Sequence, residues 1–91
     1  MNKQKQIVQL LNQQGLMPLF FDADTNKSIA VMEALYNGGV RLIEYTNRGA
    51  EALDNFVAMR KVATKNYPDL FLGAGTIKDA HTAQEFINAG A

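Results

Sequence analysis

Three short apolar runs, each followed by a stretch with helical spacing, leave this chain few folds to choose from. The runs are Leu16-Met17-Pro18-Leu19-Phe20-Phe21, Val40-Arg41-Leu42-Ile43-Glu44-Tyr45 and Leu70-Phe71-Leu72-Gly73-Ala74-Gly75. Around them, apolar residues recur every three or four positions, as on one face of an α-helix. These stripes are Ile7, Val8, Leu10 and Leu11; Ile29, Met32, Leu35 and Tyr36; Leu53, Phe56, Val57 and Met59 to Val62; and Ala83, Phe86 and Ile87. Gly15, Gly38-Gly39 and Gly90 stand where helices stop, and Pro68 ends the third because it cannot continue the hydrogen-bond ladder. Asp24 or Thr25, and later Asp79, suit helix N-caps. The spacing predicts strands near 16–22, 40–47 and 70–76, and helices near 3–14, 26–37, 50–66 and 79–89. Pro18 fits only the start or the edge of its strand.

A helix followed by three βα units without long linkers suits a parallel sheet with right-handed crossovers. A (β/α)8 (TIM) barrel takes about 250 residues, and this chain of 91 residues supplies an N-terminal helix and three of the eight units. Residues 1–91 are therefore expected to be the N-terminal part of a single barrel domain. Alone they would leave two open sheet edges and an unfilled inner face, a poor independent folding unit. The alternative is a very small open sheet.

Within the second run, strand alternation puts Val40, Leu42, Glu44 and Thr46 on one face and Arg41, Ile43, Tyr45 and Asn47 on the other. Glu44 thus shares a face with apolar residues, where an unpaired charge is costly. It reads either as an acid–base carboxylate or as a structural one paired with Arg41 or Arg48. A general acid–base must be held off full solvation so that its pKa can move toward neutrality. Arg48, at the mouth of the next loop, carries the planar fork that grips carboxylates in bidentate fashion, although loop arginines are commonly just solvated. Asp22 and Asp24 could join Glu44 around a Mg²⁺ ion, but turn and capping roles explain them more economically. Gly73-Ala74-Gly75 lacks the spacing of a phosphate loop and reads as close backbone packing. His81 falls in a first helical turn and is expected at the surface.

Nine acidic and nine basic residues cancel, so no charge pattern marks a nucleic-acid or membrane partner. The absence of cysteine excludes disulfides and thiolate zinc sites. No apolar run approaches the ~20 residues of a membrane span, and the N-terminus lacks a signal-peptide block. A cytoplasmic protein is expected. Three functional classes fit: an enzyme that uses an acid–base carboxylate, a small open α/β binding or signalling module with an acidic ion site, and a non-catalytic barrel fragment.

Glu44-Tyr45-Thr46-Asn47-Arg48, preceded by Gly38-Gly39-Val40 and followed about 25 residues on by Gly73-Ala74-Gly75-Thr76, resembles the 2-keto-3-deoxy-6-phosphogluconate (KDPG) and 4-hydroxy-2-oxoglutarate (KHG) aldolase family. The resemblance extends over essentially the whole chain. It implies a homotrimeric (β/α)8 barrel and a class I aldolase without a cofactor, which joins a lysine to a 2-oxo acid as a Schiff base and releases pyruvate. It also implies that Glu44 shuttles protons, that Arg48 and Thr76 hold the pyruvyl carboxylate, and that the lysine lies on a sixth strand outside this sequence. Lys78, just past Thr76, is rejected as that lysine because it is a loop residue with no apolar pocket to lower its pKa. Tyr45, Asn47 and Gly49 depart from the family pattern, which has Val or Ile, an apolar residue and threonine there. They leave open which member this is and how the loop after the second strand meets the substrate.

Overall fold

The structure, a computed structural model, describes residues 3–91. Its elements run α1 (Lys3–Gln14), β1 (Leu19–Phe20), α2 (Thr25–Asn37), β2 (Leu42–Thr46), α3 (Ala52–Asn66), β3 (Phe71–Gly75) and α4 (Ala80–Asn88). The three strands form one sheet in the order β1-β2-β3, with both pairings parallel. The architecture is a parallel three-stranded α/β sheet with four helices. Asp24 caps α2 by accepting the Lys27 N–H at 2.9 Å. Asp79 caps α4 by accepting the Thr82 N–H at 2.7 Å, and this hydrogen bond holds its carboxyl below the usual range. Gly15, Gly39 and Gly90 close α1, α2 and α4, each with left-handed φ. No helix among the described residues is long and apolar enough to cross a membrane.

The first strand is much shorter than the apolar run that announces it. Pro18 has no N–H to give to a ladder, and its carbonyl accepts the Glu44 N–H at 2.9 Å. Before it, a side chain does the work of a strand. The Gln14 amide accepts from the N–H groups of Arg41 at 3.0 Å and Leu42 at 3.3 Å. It also donates to the Leu42 carbonyl at 3.1 Å. The end of α1 is thereby sewn to the start of β2.

The core lies between the sheet and α2, α3 and α4. Ile43 and Tyr45 of β2 and Leu72 of β3 meet Met32 of α2, Ala52, Phe56, Met59 and Ala63 of α3, and Phe86 of α4. The stripe on α3 is broader than the sequence expectation: Phe56 and Met59 are buried as expected and Leu53 and Val62 pack partly buried against the core, but Ala52, Asn55 and Ala63 are buried as well. Small alanines let the helix approach the sheet, and Asn55 has a polar reason to be inside. On α4, Phe86 packs edge-on to Phe56, with ring centroids 5.4 Å apart, and Ile87 faces outward instead of inward.

That polar reason is Tyr45. Its ring is fully buried on the helix side of β2, and its hydroxyl donates to the Asp22 carbonyl at 2.8 Å. Ser28 Oγ of α2 lies 2.8 Å from the hydroxyl, and Asn55 Nδ2 of α3 donates to it at 3.2 Å. Asn55 also reaches the carbonyls of Asp22 and Ala23, at 3.0 and 3.2 Å, and accepts from the Thr25 hydroxyl. Among the described residues no buried side-chain polar atom is left without a partner. The departure at Tyr45 is therefore answered inside the core. The departure at Gly49 is answered by packing, since a Cβ there would come within 2.7 Å of the Phe21 ring.

Removing the hydroxyl takes one buried partner from each of Ser28 and Asn55, which keep their bonds to the Asp22 carbonyl. Tyr45→Phe is expected to lower stability by about 1–3 kcal/mol, read as a lower urea midpoint at unchanged slope. An unchanged midpoint would show that the hydroxyl does not anchor these elements.

Candidate active site

In β2 every residue but one is buried, and that one is Glu44. Alternation sends Ile43 and Tyr45 into the helices and turns Leu42, Glu44 and Thr46 to the other face. The register pairs Leu19, Glu44 and Gly73 across the three strands, and Thr46 with Gly75. On that face Leu19 is 53% exposed, so Glu44 is less enclosed than the apolar sequence around it suggests. The core helices lie on the opposite side of the sheet. At the lower end Ile7 of α1 shares a cavity of about 230 Å³ with Leu42, Phe71 and Gly73. This cavity sits at the N-terminal end of the strands, away from the polar groups of interest.

The Glu44 side chain leans along the strand, as strand side chains do, toward the C-terminal end of β3. Its carboxylate comes to rest against Gly75, where a Cβ would fall 2.2 Å from Oε2. Gly73, directly opposite Glu44, has no such constraint, since a Cβ there would meet only the Ile43 carbonyl at 3.9 Å. Of the two glycines expected to exclude bulk, only Gly75 does so among the described residues.

Thr76 and Arg48 complete the rim. The Asn47 N–H donates to the Gly75 carbonyl at 2.8 Å, which ties the ends of β2 and β3 together. The Arg48 N–H folds back onto the Thr46 carbonyl at 3.0 Å, leaving the side chain exposed just beyond the strand end. Thr76 follows β3 directly with φ of 59°. This left-handed torsion costs an ordinary L-residue roughly 1–2 kcal/mol and is a true outlier for a β-branched one. Glu44, Thr76 and Arg48 thus stand at the same ends of two neighbouring strands. Among the described residues neither Glu44 nor Arg48 has an ion-pair partner within 4 Å.

The structural alternative for Glu44 fails on this geometry. Arg41 lies at the other end of β2, where its guanidinium binds Asp69 at 3.1 Å and sits 3.7 Å above the Tyr36 ring. The Tyr36 hydroxyl also donates to Asp69, and this bond, with the Arg41 charge, holds the Asp69 carboxyl below its ordinary range. The acidic-cluster alternative fares no better. Asp24 is occupied as the α2 cap, and Asp22 Oδ1 accepts the Asp24 N–H at 2.8 Å. Among the described residues no group of three or more metal-ligating side chains is placed to hold an ion. Lys78 and His81 are exposed, and His81 lies 3.5 Å from Glu85 on its own helix.

Two things escaped the sequence reading. The core network of Ser28, Tyr45 and Asn55 was signalled only by polar residues standing in step with apolar ones on α2 and α3. The niche at Gly75 was signalled by a glycine two positions past the one opposite Glu44, on the same face.

The family model for KDPG and KHG aldolases matches residues 7–91. A curated relative, the 2-dehydro-3-deoxy-phosphogluconate aldolase of Pseudoalteromonas atlantica, is 33% identical over 82 residues, which is 90% of this chain and 36% of that protein. The chain thus spans about a third of the length of that relative. With the match running through Glu44, Arg48 and Thr76 and across all three strands, this chain belongs to the KDPG and KHG aldolase family.

Proposed function

We propose that these residues are the N-terminal part of a (β/α)8 barrel that works as a cytoplasmic, homotrimeric class I aldolase. Its substrate would be a 2-keto-3-deoxy-6-phosphosugar acid or 4-hydroxy-2-oxoglutarate, cleaved to pyruvate and an aldehyde. The observation that carries the reading is the Glu44 carboxylate, leaning toward the C-terminal end of the sheet against Gly75, next to Thr76 in the chain, and within one loop of Arg48, both charges without an ion pair among the described residues. In barrels of this type the chemistry sits at that end of the strands. The half-open face around Leu19 and Glu44 supports further strands closing over it.

The roles follow from charge and reach. The Arg48 fork and the Thr76 hydroxyl bind the carboxylate of the 2-oxo acid, with Arg48 supplying a charge-assisted contact. A lysine from outside these residues adds to the 2-oxo carbon, and Glu44 protonates the carbinolamine hydroxyl so that it leaves as water. Glu44, now a carboxylate, takes the proton from the substrate hydroxyl. The carbon–carbon bond breaks, its electrons enter the iminium to give an enamine, and the aldehyde departs. Glu44 returns the proton to the enamine carbon, and water releases pyruvate from the lysine.

Glu44→Gln keeps size and hydrogen-bonding reach but not the titrating proton. In the full-length protein it should lower kcat by about 10²–10⁴-fold, with pyruvate affinity little changed. Full activity would return Glu44 to a structural role. Arg48→Ala removes a contact made before the chemistry, so KM for the 2-oxo acid should rise more than kcat falls. The reverse split would contradict carboxylate binding by Arg48. Borohydride reduction in the presence of pyruvate should label a lysine outside these residues, as read by peptide mass mapping. An adduct on Lys78 would reverse its rejection.

A further inference from the structure

We propose that Gly75 is a positioning residue for the reaction, holding the Glu44 carboxylate in place by having no side chain. The inference rests on the acid–base role of Glu44. Gly75 has an ordinary φ, unlike Gly15, Gly39 and Gly90, so backbone torsion does not require glycine here. Space does. A Cβ would stand 2.2 Å from Glu44 Oε2, 2.5 Å from its carboxyl carbon and 3.0 Å from Cγ. These are the outer atoms of a long side chain with no ion pair to hold it among the described residues. The first thing to move under an added methyl is therefore the carboxylate, not the sheet. The β2–β3 ladder and the Asn47 N–H bond to the Gly75 carbonyl involve only backbone and can persist. Gly75 thus keeps open a niche between the strand end and Thr76, and Glu44 fills it. Displacing a catalytic group by about 1 Å can cost on the order of 10²-fold in rate.

The test uses the full-length protein and pyruvate alone, so the aldehyde partner need not be known. Exchange of the pyruvate methyl protons in D2O, followed by proton NMR, reads the step in which a C–H bond of the bound pyruvate breaks. The proton passes to the Glu44 carboxylate and a solvent deuteron takes its place. Gly75→Ala should lower the kcat of exchange by about 10–100-fold while KM changes by less than about threefold. Glu44→Asp draws the carboxylate back by one methylene and will itself be slow. In that background Gly75→Ala should cost less than about threefold more, because the colliding atoms have been withdrawn. An equal loss in both backgrounds, or no loss in the wild type, would overturn the proposal. If Gly75→Ala does not accumulate as folded protein, recovery of folding by adding Glu44→Ala supports the collision with Glu44, and failure to recover overturns it. A defect in Glu44→Gln together with unimpaired Gly75→Ala would refute the Gly75 proposal alone. Full activity in Glu44→Gln would refute both.

Discussion

The buried hydroxyl of Tyr45 fixes what the rest of the sheet can do. A one-residue slip of β2 would turn its whole set of side chains to the other face, placing Glu44 among the helices and Tyr45 on the half-open side. Apolar packing opposes that slip, but the hydrogen bonds specify against it. The hydroxyl finds a carbonyl from the turn after β1, a hydroxyl from α2 and an amide from α3, and no other side chain of β2 could satisfy all three. A fully satisfied buried network of this kind defines one arrangement of the elements around it. The edge-on contact with Phe20, at 5.1 Å between ring centroids, holds the ring from the β1 side. The direction in which Glu44 points is thus decided on the opposite face of the strand.

The two ends of the sheet are built for different purposes. At the N-terminal end the polar groups satisfy one another. Arg41, Tyr36 and Asp69 form a closed set of cation–π contact, ion pair and hydrogen bond, Tyr67 stacks at 4.3 Å from Tyr36 and donates to Glu33 at 2.9 Å, and Gln14 seals the start of β2. At the C-terminal end Glu44 and Arg48 lack ion pairs among the described residues and Thr76 carries a strained torsion. A β-branched residue held at left-handed φ persists only where the surrounding structure over-determines it, and such residues gather at functional sites. The contrast separates stabilising chemistry from candidate chemistry without reference to any relative.

Much of the frame was legible in the sequence. Period and punctuation were strong for the helices: Asp24, Asp79 and the glycine stops lie within a residue or two of the observed ends. β1 was not legible in its true length, because Leu16-Met17-Pro18 is apolar enough to look like strand while Gln14 takes its hydrogen bonds from a position no periodicity marks. The α3 stripe was legible at Phe56 and Met59 but incomplete, because apolar counting passes over Ala52 and Asn55, where the sheet takes a small residue and Tyr45 a partner. Of the candidate site, Glu44 was singled out by its conflict with its neighbours, and Arg48 by its place at the loop mouth. Thr76 had only the resemblance to support it, since a left-handed torsion at threonine leaves no trace in sequence.

Gly75 and Thr76 invert the usual division of labour between glycine and a side-chain-bearing residue. Where a chain must adopt left-handed φ, glycine is the inexpensive solution, yet here the left-handed residue is the threonine and the glycine before it has ordinary torsion. Exchanging the two would relieve the strain. It would also place a side chain in the niche that the Glu44 carboxylate fills and remove the hydroxyl from the strand end. The order Gly-Thr therefore sacrifices roughly 1–2 kcal/mol of backbone strain to keep an empty space and a hydroxyl side by side. Neither is useful to a sheet. Both suit the acid–base role proposed for Glu44 and the carboxylate-binding role proposed for Thr76.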